Sequence, residues 1–208
     1  MAYEESRQKA VVLTCTLSPS PAESSTALMG QQFVQELASH DVPATEIRVV
    51  DHDVRPGVMA DMGDGDEWPA IRSQVIDASI LVLCTPTWAG HPSSVAQRVI
   101  ERLDAELGKT QDDGRPSLFD KVALVGVVGN EDGAHAIVAD VYQALNDFGM
   151  TIAAKGCTYW NGEAMHKTDY KDLSETPPAT LSALKGAVAN AVHLARALSI
   201  SGYPAPPK

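Results

Sequence analysis

Three near-continuous apolar runs, VVLTC, ILVLC and VALVGVV, set the strongest limit on what this chain can fold into. Short apolar runs without alternation belong to strands covered on both faces, as in a parallel sheet flanked by helices. They fall in the stretches 10–16, 79–84 and 122–128, and two further β-rich stretches, 45–50 and 151–157, bring the number to five. Parallel neighbours cannot be joined by tight turns, so each pair needs a crossover. The intervening segments supply them. Leu28, Met29, Phe33, Val34 and Leu37 recur at helical spacing, as do Val95, Val99, Ile100, Leu103 and Leu107, and then Ile137, Val138, Val141, Leu145 and Phe148. A weaker helix starts near Asp66, which can cap it, with Pro69 in its first turn and Ile71, Val75 and Ile76 as its apolar face. A last one follows Pro177 and Pro178 and carries Leu181, Leu184, Val188, Val192, Ala195 and Leu198. Strict alternation with right-handed crossovers predicts an α/β fold. Its five-stranded, doubly wound parallel sheet has the order 2-1-3-4-5 and helices on both faces. A length of 208 residues suits one such domain, over 9–200, with flexible ends at 1–8 and 201–208.

A net charge of −11 argues against the attraction to phosphate backbones that nucleic-acid binders use, and equally against an anionic membrane surface. The first residues, MAYEESRQKA, lack the basic-then-apolar order of a secretory leader, and no apolar run is long enough to span a bilayer. The expected location is the cytoplasm. Cys15, Cys84 and Cys157 match no zinc spacing and no disulfide framework, and read as reduced, packed thiols.

Doubly wound sheets bind ligands beyond the carboxyl ends of their strands, so the loops after strands one, three and four carry the functional expectation. The first contains Thr16, Ser18, Ser20, Ser24, Ser25 and Thr26 and runs straight into a helix. A helix N-terminus with added hydroxyls suits a phosphate monoester, and the alternative is a cap with spare hydroxyls. No Lys or Arg stands in it, and Gly108-Lys109-Thr110 is no phosphate-binding P-loop because Leu103 occupies the required glycine position. The second loop, Thr85 to Ser94, sets Trp88 between Pro86 and Gly90. An exposed tryptophan there can stack on a flat ring, with Gly90 letting backbone approach its edge, or it can plug the sheet end. The third runs Gly129-Asn130-Glu131-Asp132-Gly133-Ala134-His135 and can clasp a ring edge through its backbone. Asp132 is otherwise an N-cap and Glu131 a first-turn acid, while His135 is either a helix-surface residue or a donor beside the ring. The acidic run 61–66 has the wrong positions for a calcium loop and reads as a solvated loop and helix start. The stretch 158–176, with Tyr159, Trp160 and Tyr170, is longer than compact domains ordinarily leave without structure and is expected to be functional.

The stretches TLSPSPAESST, TPTWAGHPSSVAQRVIERL and GNEDGAHAIVADVYQALNDFG resemble the flavodoxin-like NADPH-dependent FMN reductase and quinone reductase families, as do TYWNGEAM and DYKDL. The resemblance covers about residues 10–198. It implies FMN as cofactor and NAD(P)H as co-substrate. The hydroxyl loop (Thr16, Ser18, Ser20, Ser25 and Thr26) would take the phosphate. Pro86, Thr87, Trp88, Ala89 and Gly90 would meet the isoalloxazine, and Gly129, Asn130, Glu131, Asp132 and Gly133 would meet its other edge. In the first loop Thr16-Leu17-Ser18-Pro19 replaces the Gly-Ser-Pro-Arg start common in FMN reductases. Tyr159 and Trp160 would wall the pocket, from the same or a neighbouring subunit of a homodimer or homotetramer. The implied reaction is ping-pong electron transfer at flavin N5 to a quinone or similar acceptor, with no protein nucleophile or metal, and His135 as a possible helper. An electron-carrier flavodoxin with protein partners is the rival, and a flavin-free phosphate-sensing domain needs only the first loop.

Overall fold

The computed structural model describes residues 8–163 and 166–205. Its elements are β1 (Ala10–Thr14), α1 (Ser25–Ser39), β2 (Ala44–Arg48), α2 (Trp68–Asp77), β3 (Ile80–Trp88), β4 (His91–Pro92), α3 (Ser94–Leu103), β5 (Val122–Gly129), α4 (Ala134–Asp147), β6 (Thr151–Asn161) and α5 (Pro178–Ile200). The five long strands are all parallel in the order β2-β1-β3-β5-β6, which is the expected topology. The two-residue β4 folds back on β3 as an added antiparallel hairpin.

Successive residues of β1 point to opposite faces, as strand geometry requires. Val11 and Leu13 join Leu81, Leu83, Ala123 and Val125 under α2, α3 and α4. Val12 joins Ile80, Val82, Val122 and Leu124 under α1 and α5. The apolar runs of the sequence are thus two cores interleaved in one string. Cys15 and Cys84 are fully buried within them, and burial pushes both thiols well above their ordinary range, as expected of packed rather than reactive cysteines.

Three local expectations are corrected. The strand 151–157 continues to Asn161, because a bulge shifts its pairing with β5 from Ala123↔Ile152 to Val125↔Cys157, and the ladder then runs on to Gly129↔Asn161. Tyr159 and Trp160 therefore stand on a strand, on opposite faces, rather than in a loop. Helix α3 stops at Leu103 and tightens into a 3-10 turn over Asp104–Gly108, leaving Leu107 59% exposed instead of on the helix's apolar face. The acidic stretch before α2 is not merely solvated. The side chains of Asp66 and Arg102 have no exposure, and the pair anchors the loop to α3. At the ends, Gln8 is buried and Tyr203 is tied to Asp120 and Arg115, while 1–7 and 206–208 lie outside the described residues.

Candidate functional site

At the carboxyl ends of β1, β3 and β5 lies an open cleft of about 230 Å³. Its size is under the ~300 Å³ floor usual for ligand pockets, and it is continuous with solvent at the rim where Trp88 stands 56% exposed. One end is built from the loop after β1. Ser24 caps α1, its hydroxyl accepting from the Ala27 N–H at 3.3 Å and donating to Thr16 Oγ1 at 2.9 Å. Thr16 Oγ1 also accepts from the Ser18 N–H at 3.2 Å. A hydroxyl oxygen accepts twice and donates once, so with both lone pairs engaged Thr16 has its own proton left to offer. Ser25 Oγ accepts one bond, from the Lys171 N–H at 3.2 Å, and its proton is likewise left to offer. The first turn of α1, with Ser25 and Thr26 facing the cleft, adds backbone N–H groups and the positive end of the helix dipole.

The cation missing from this loop comes from far along the chain. Lys171 sits in a 3-10 turn, Tyr170–Asp172, that packs against the start of α1 and lines the cleft. Its ammonium bonds Asp172 at 2.6 Å, which holds its pKa above the ordinary lysine value, with Glu23 and Asp169 adding to the effect. The same turn seats Tyr170, buried with its hydroxyl donating to Gln32 at 2.7 Å and its ring 5.6 Å from Trp160. Asp169 receives Asn130 Nδ2 at 3.4 Å, tying this segment to the loop after β5.

The floor is Pro86, Thr87, Val128 and Gly129. Thr87 Oγ1 is buried there without a hydrogen-bond partner. A buried hydroxyl without a partner costs free energy, so Thr87 is a destabilising feature of the floor. Behind the floor, Ser93 caps α3, accepts from the Ala96 N–H, and donates to the Cys15 carbonyl at 2.6 Å, which fixes the first loop to the second.

Of the residues expected at the site, Thr16, Ser18, Ser25, Thr26, Pro86, Thr87, Trp88, Gly129, Asn130 and Trp160 line the cleft. Ser20 does not join them. Its N–H and hydroxyl are both bonded to the Asp51 carboxylate, at 2.8 and 2.6 Å, and Arg48 reaches its Oγ. Ala89, Gly90, Glu131, Asp132 and Gly133 form two touching turns beside the cleft rather than its lining, and the Ala89 N–H donates to Glu131 Oε1 at 2.8 Å. Gly133, not Asp132, occupies the N-cap of α4, and Asp132 instead accepts from the Gly133 N–H. Tyr159 faces away from Trp160 and pairs with His135, hydroxyl to Nε2 at 3.0 Å with the rings edge-on. Leu17, Glu23, Ser24, Val128, Asp169, Tyr170 and Lys171 line it without having been expected as site residues. The dense hydroxyls pointed to Ser24, but nothing local pairs Lys171 with a loop 146 residues before it.

A cradle of hydroxyl and amide donors, a lysine among its lining residues and a rim tryptophan fit a phosphorylated planar molecule. The model of the NADPH-dependent FMN reductase family matches residues 9–164. The chain belongs to that family. It is 30% identical over 205 residues to the 8-demethyl-8-aminoriboflavin-5'-phosphate synthase of Streptomyces davaonensis, covering 94% of this chain and 80% of that one. The crystal structure of RosB with bound 8-demethyl-8-formylriboflavin-5'-phosphate superposes with a TM-score of 0.85 at 30% identity, over 94% of this chain and 82% of that one. A divalent metal cation transporter, MntH, of Mycobacterium bovis is 37% identical over 174 residues, which are 82% of this chain; the chain spans only 25% of that transporter. Among the described residues no helix is long and apolar enough to cross a membrane. The fold is flavodoxin-like, and the family is one of FMN-dependent oxidoreductases.

Proposed function

We propose that the cleft holds FMN and that the protein oxidises NAD(P)H and reduces a small acceptor such as a quinone, in ping-pong order. The observation that carries the reading is the phosphate end: Thr16 accepts two hydrogen bonds and Ser25 one, which leaves both hydroxyl protons to offer at a helix N-terminus, with Lys171 lining the same end. Ser18 and Thr26 complete that end, Thr87 and Gly129 form its floor, and Trp88 and Trp160 supply aromatic surface. Bound FMN supplies hydride and electron transfer at N5, so the protein's work is to bind, orient and control access. The segment 169–172 shields the phosphate end, and the open rim at Trp88 leaves room for exchange of substrates. A homodimer or homotetramer is part of the same proposal and is read by light scattering.

Titration of the purified protein with FMN, followed by flavin fluorescence and the visible spectrum, tests the site. Steady-state oxidation of NADH and NADPH tests the activity, with parallel double-reciprocal lines expected when acceptor is varied. A flavodoxin-type carrier would bind FMN and oxidise neither nucleotide.

One observation favours a second reading. The structural similarity to RosB, solved with a flavin phosphate intermediate, supports a site in which the flavin phosphate is a reactant. Mass spectrometry of flavin recovered after turnover separates the two, since a reductase returns FMN unchanged.

A further inference from the structure

The turn that follows Trp88 is backbone-strained. β3 and β4 pair Trp88 with His91 and Thr87 with Pro92, so Ala89 and Gly90 form a two-residue hairpin loop. Both have positive φ, +50° and +79°, as the tight primed turns require. Glycine adopts that region freely, whereas alanine does so at a cost. Something outside the hairpin must offset it.

Two contacts reach the turn from the loop after β5. The Ala89 N–H donates to Glu131 Oε1 at 2.8 Å, a charge-assisted bond to the strained residue itself. Gly133, at φ +137°, lies so close that a Cβ there would stand 2.8 Å from the Gly90 Cα, so the two turns meet backbone to backbone. Gly133 provides the closeness and Glu131 the directional bond. Trp88 begins the turn, and its 56% exposed ring has little packing of its own to hold it at the cleft rim.

We propose that Glu131 is a positioning residue: its carboxylate grips the Ala89 amide, holds the turn left-handed and so sets where Trp88 stands over the cleft. The proposal rests on the flavin reading for its effect on binding, but the latch itself is a property of the protein without ligand. Glu131 touches no reacting atom in it. Its reach matters more than its charge, because the bond spans from one loop to the next.

The test combines amide exchange at Ala89, read by NMR on the flavin-free protein, with FMN affinity. In wild type the Ala89 amide is expected to be protected, and in Glu131→Ala its exchange should rise at least about tenfold, the scale of one charge-assisted hydrogen bond. Glu131→Gln keeps an acceptor at the same reach and should stay within about threefold of wild type. Glu131→Asp keeps the charge but shortens the arm and should resemble the alanine variant, which preserves the test if that variant folds poorly. FMN affinity should fall by on the order of tenfold in Glu131→Ala and recover on adding Ala89→Gly, because glycine no longer needs the latch to stay left-handed. A general loss of structure would not be rescued by that second change. Equal Ala89 exchange in wild type, Glu131→Ala and Glu131→Asp would overturn the proposal, as would an affinity loss that Ala89→Gly leaves in place. A wild type that binds no FMN would sink the flavin reading alone, with the exchange data still deciding the latch.

Discussion

Replacing Asp66 by asparagine removes one charge from a pair that has no contact with solvent. Arg102 Nη1 and Nη2 reach the two carboxylate oxygens at 3.0 and 2.7 Å, and the N–H groups of Met62, Trp68 and Arg55 add three more bonds at 2.9, 3.2 and 3.3 Å. Arg102 also donates to the carbonyls of Met59 and Arg55 and lies 5.6 Å from the Trp68 ring, so its position is fixed. Leaving such a cation buried and unpaired costs about 3–5 kcal/mol. Urea m-values run at about 1–3 kcal/mol/M, so the denaturation midpoint should fall by at least ~1 M. The double variant Asp66→Leu, Arg102→Met removes both charges and should lose less than the single variant, since apolar replacement of a buried pair is often near neutral. The pH dependence has a definite sign. The Arg102 guanidinium holds the Asp66 carboxyl far below the usual carboxylate range, so its contribution is fully present above the unfolded value, ~3.9. It is lost as pH falls toward the folded value. The gap between wild type and Asp66→Asn should therefore be constant from neutrality to about pH 5 and narrow below about pH 4. A midpoint shift under ~0.3 M, or a gap that persists unchanged into strong acid, would refute the reasoning.

Other outcomes follow from the site. Lys171→Met should weaken FMN by roughly three- to tenfold and leave riboflavin affinity unchanged, because only the phosphate meets the ammonium; paired titrations of the two flavins measure it. Trp88→Ala should lower FMN affinity by on the order of tenfold through lost ring contact, while the thermal midpoint stays near wild type because Trp88 is 56% exposed. Gly129→Ala places a Cβ 2.7 Å from Thr87 Cβ, so Thr87 must move; overpacking of this kind costs about 1–3 kcal/mol in urea denaturation, and FMN affinity should drop with it. Gly126→Ala meets Met29 Sδ and Phe33 Cε2, each at 2.8 Å, and should cost a similar ~1–3 kcal/mol with little change in flavin affinity, since Gly126 lies in the core below the cleft.

The contrast between Ser20 and Ser25 shows where reading the sequence stops. Both are hydroxyls in one loop, and nothing in the local pattern ranks them. Ser25 faces the cleft because it opens α1, whose axis is set by Met29, Phe33 and Leu37 packing on the sheet. Ser20 is drawn off by Asp51, which the chain brings alongside only when β2 pairs with β1. Tyr159 and Trp160 make the same point for secondary structure. Their strand lies beyond the apolar run that marks β6, and it forms because Val127, Val128 and Gly129 offer a ladder to pair with.

What the sequence determined by itself was the alternation of strands and helices, the sheet order and the three loops at its carboxyl end. These depend on periodicities of two and 3.6 residues and on burial of both sheet faces, which are local or follow from connection rules. The tertiary structure alone decided which polar groups meet. Lys171 reaches the cradle around Ser25, Glu131 takes the Ala89 amide and Asp66 is buried against Arg102, across separations of 146, 42 and 36 residues. A polar side chain has many possible partners along the chain, and its choice is settled only when packing has removed water from all but one of them.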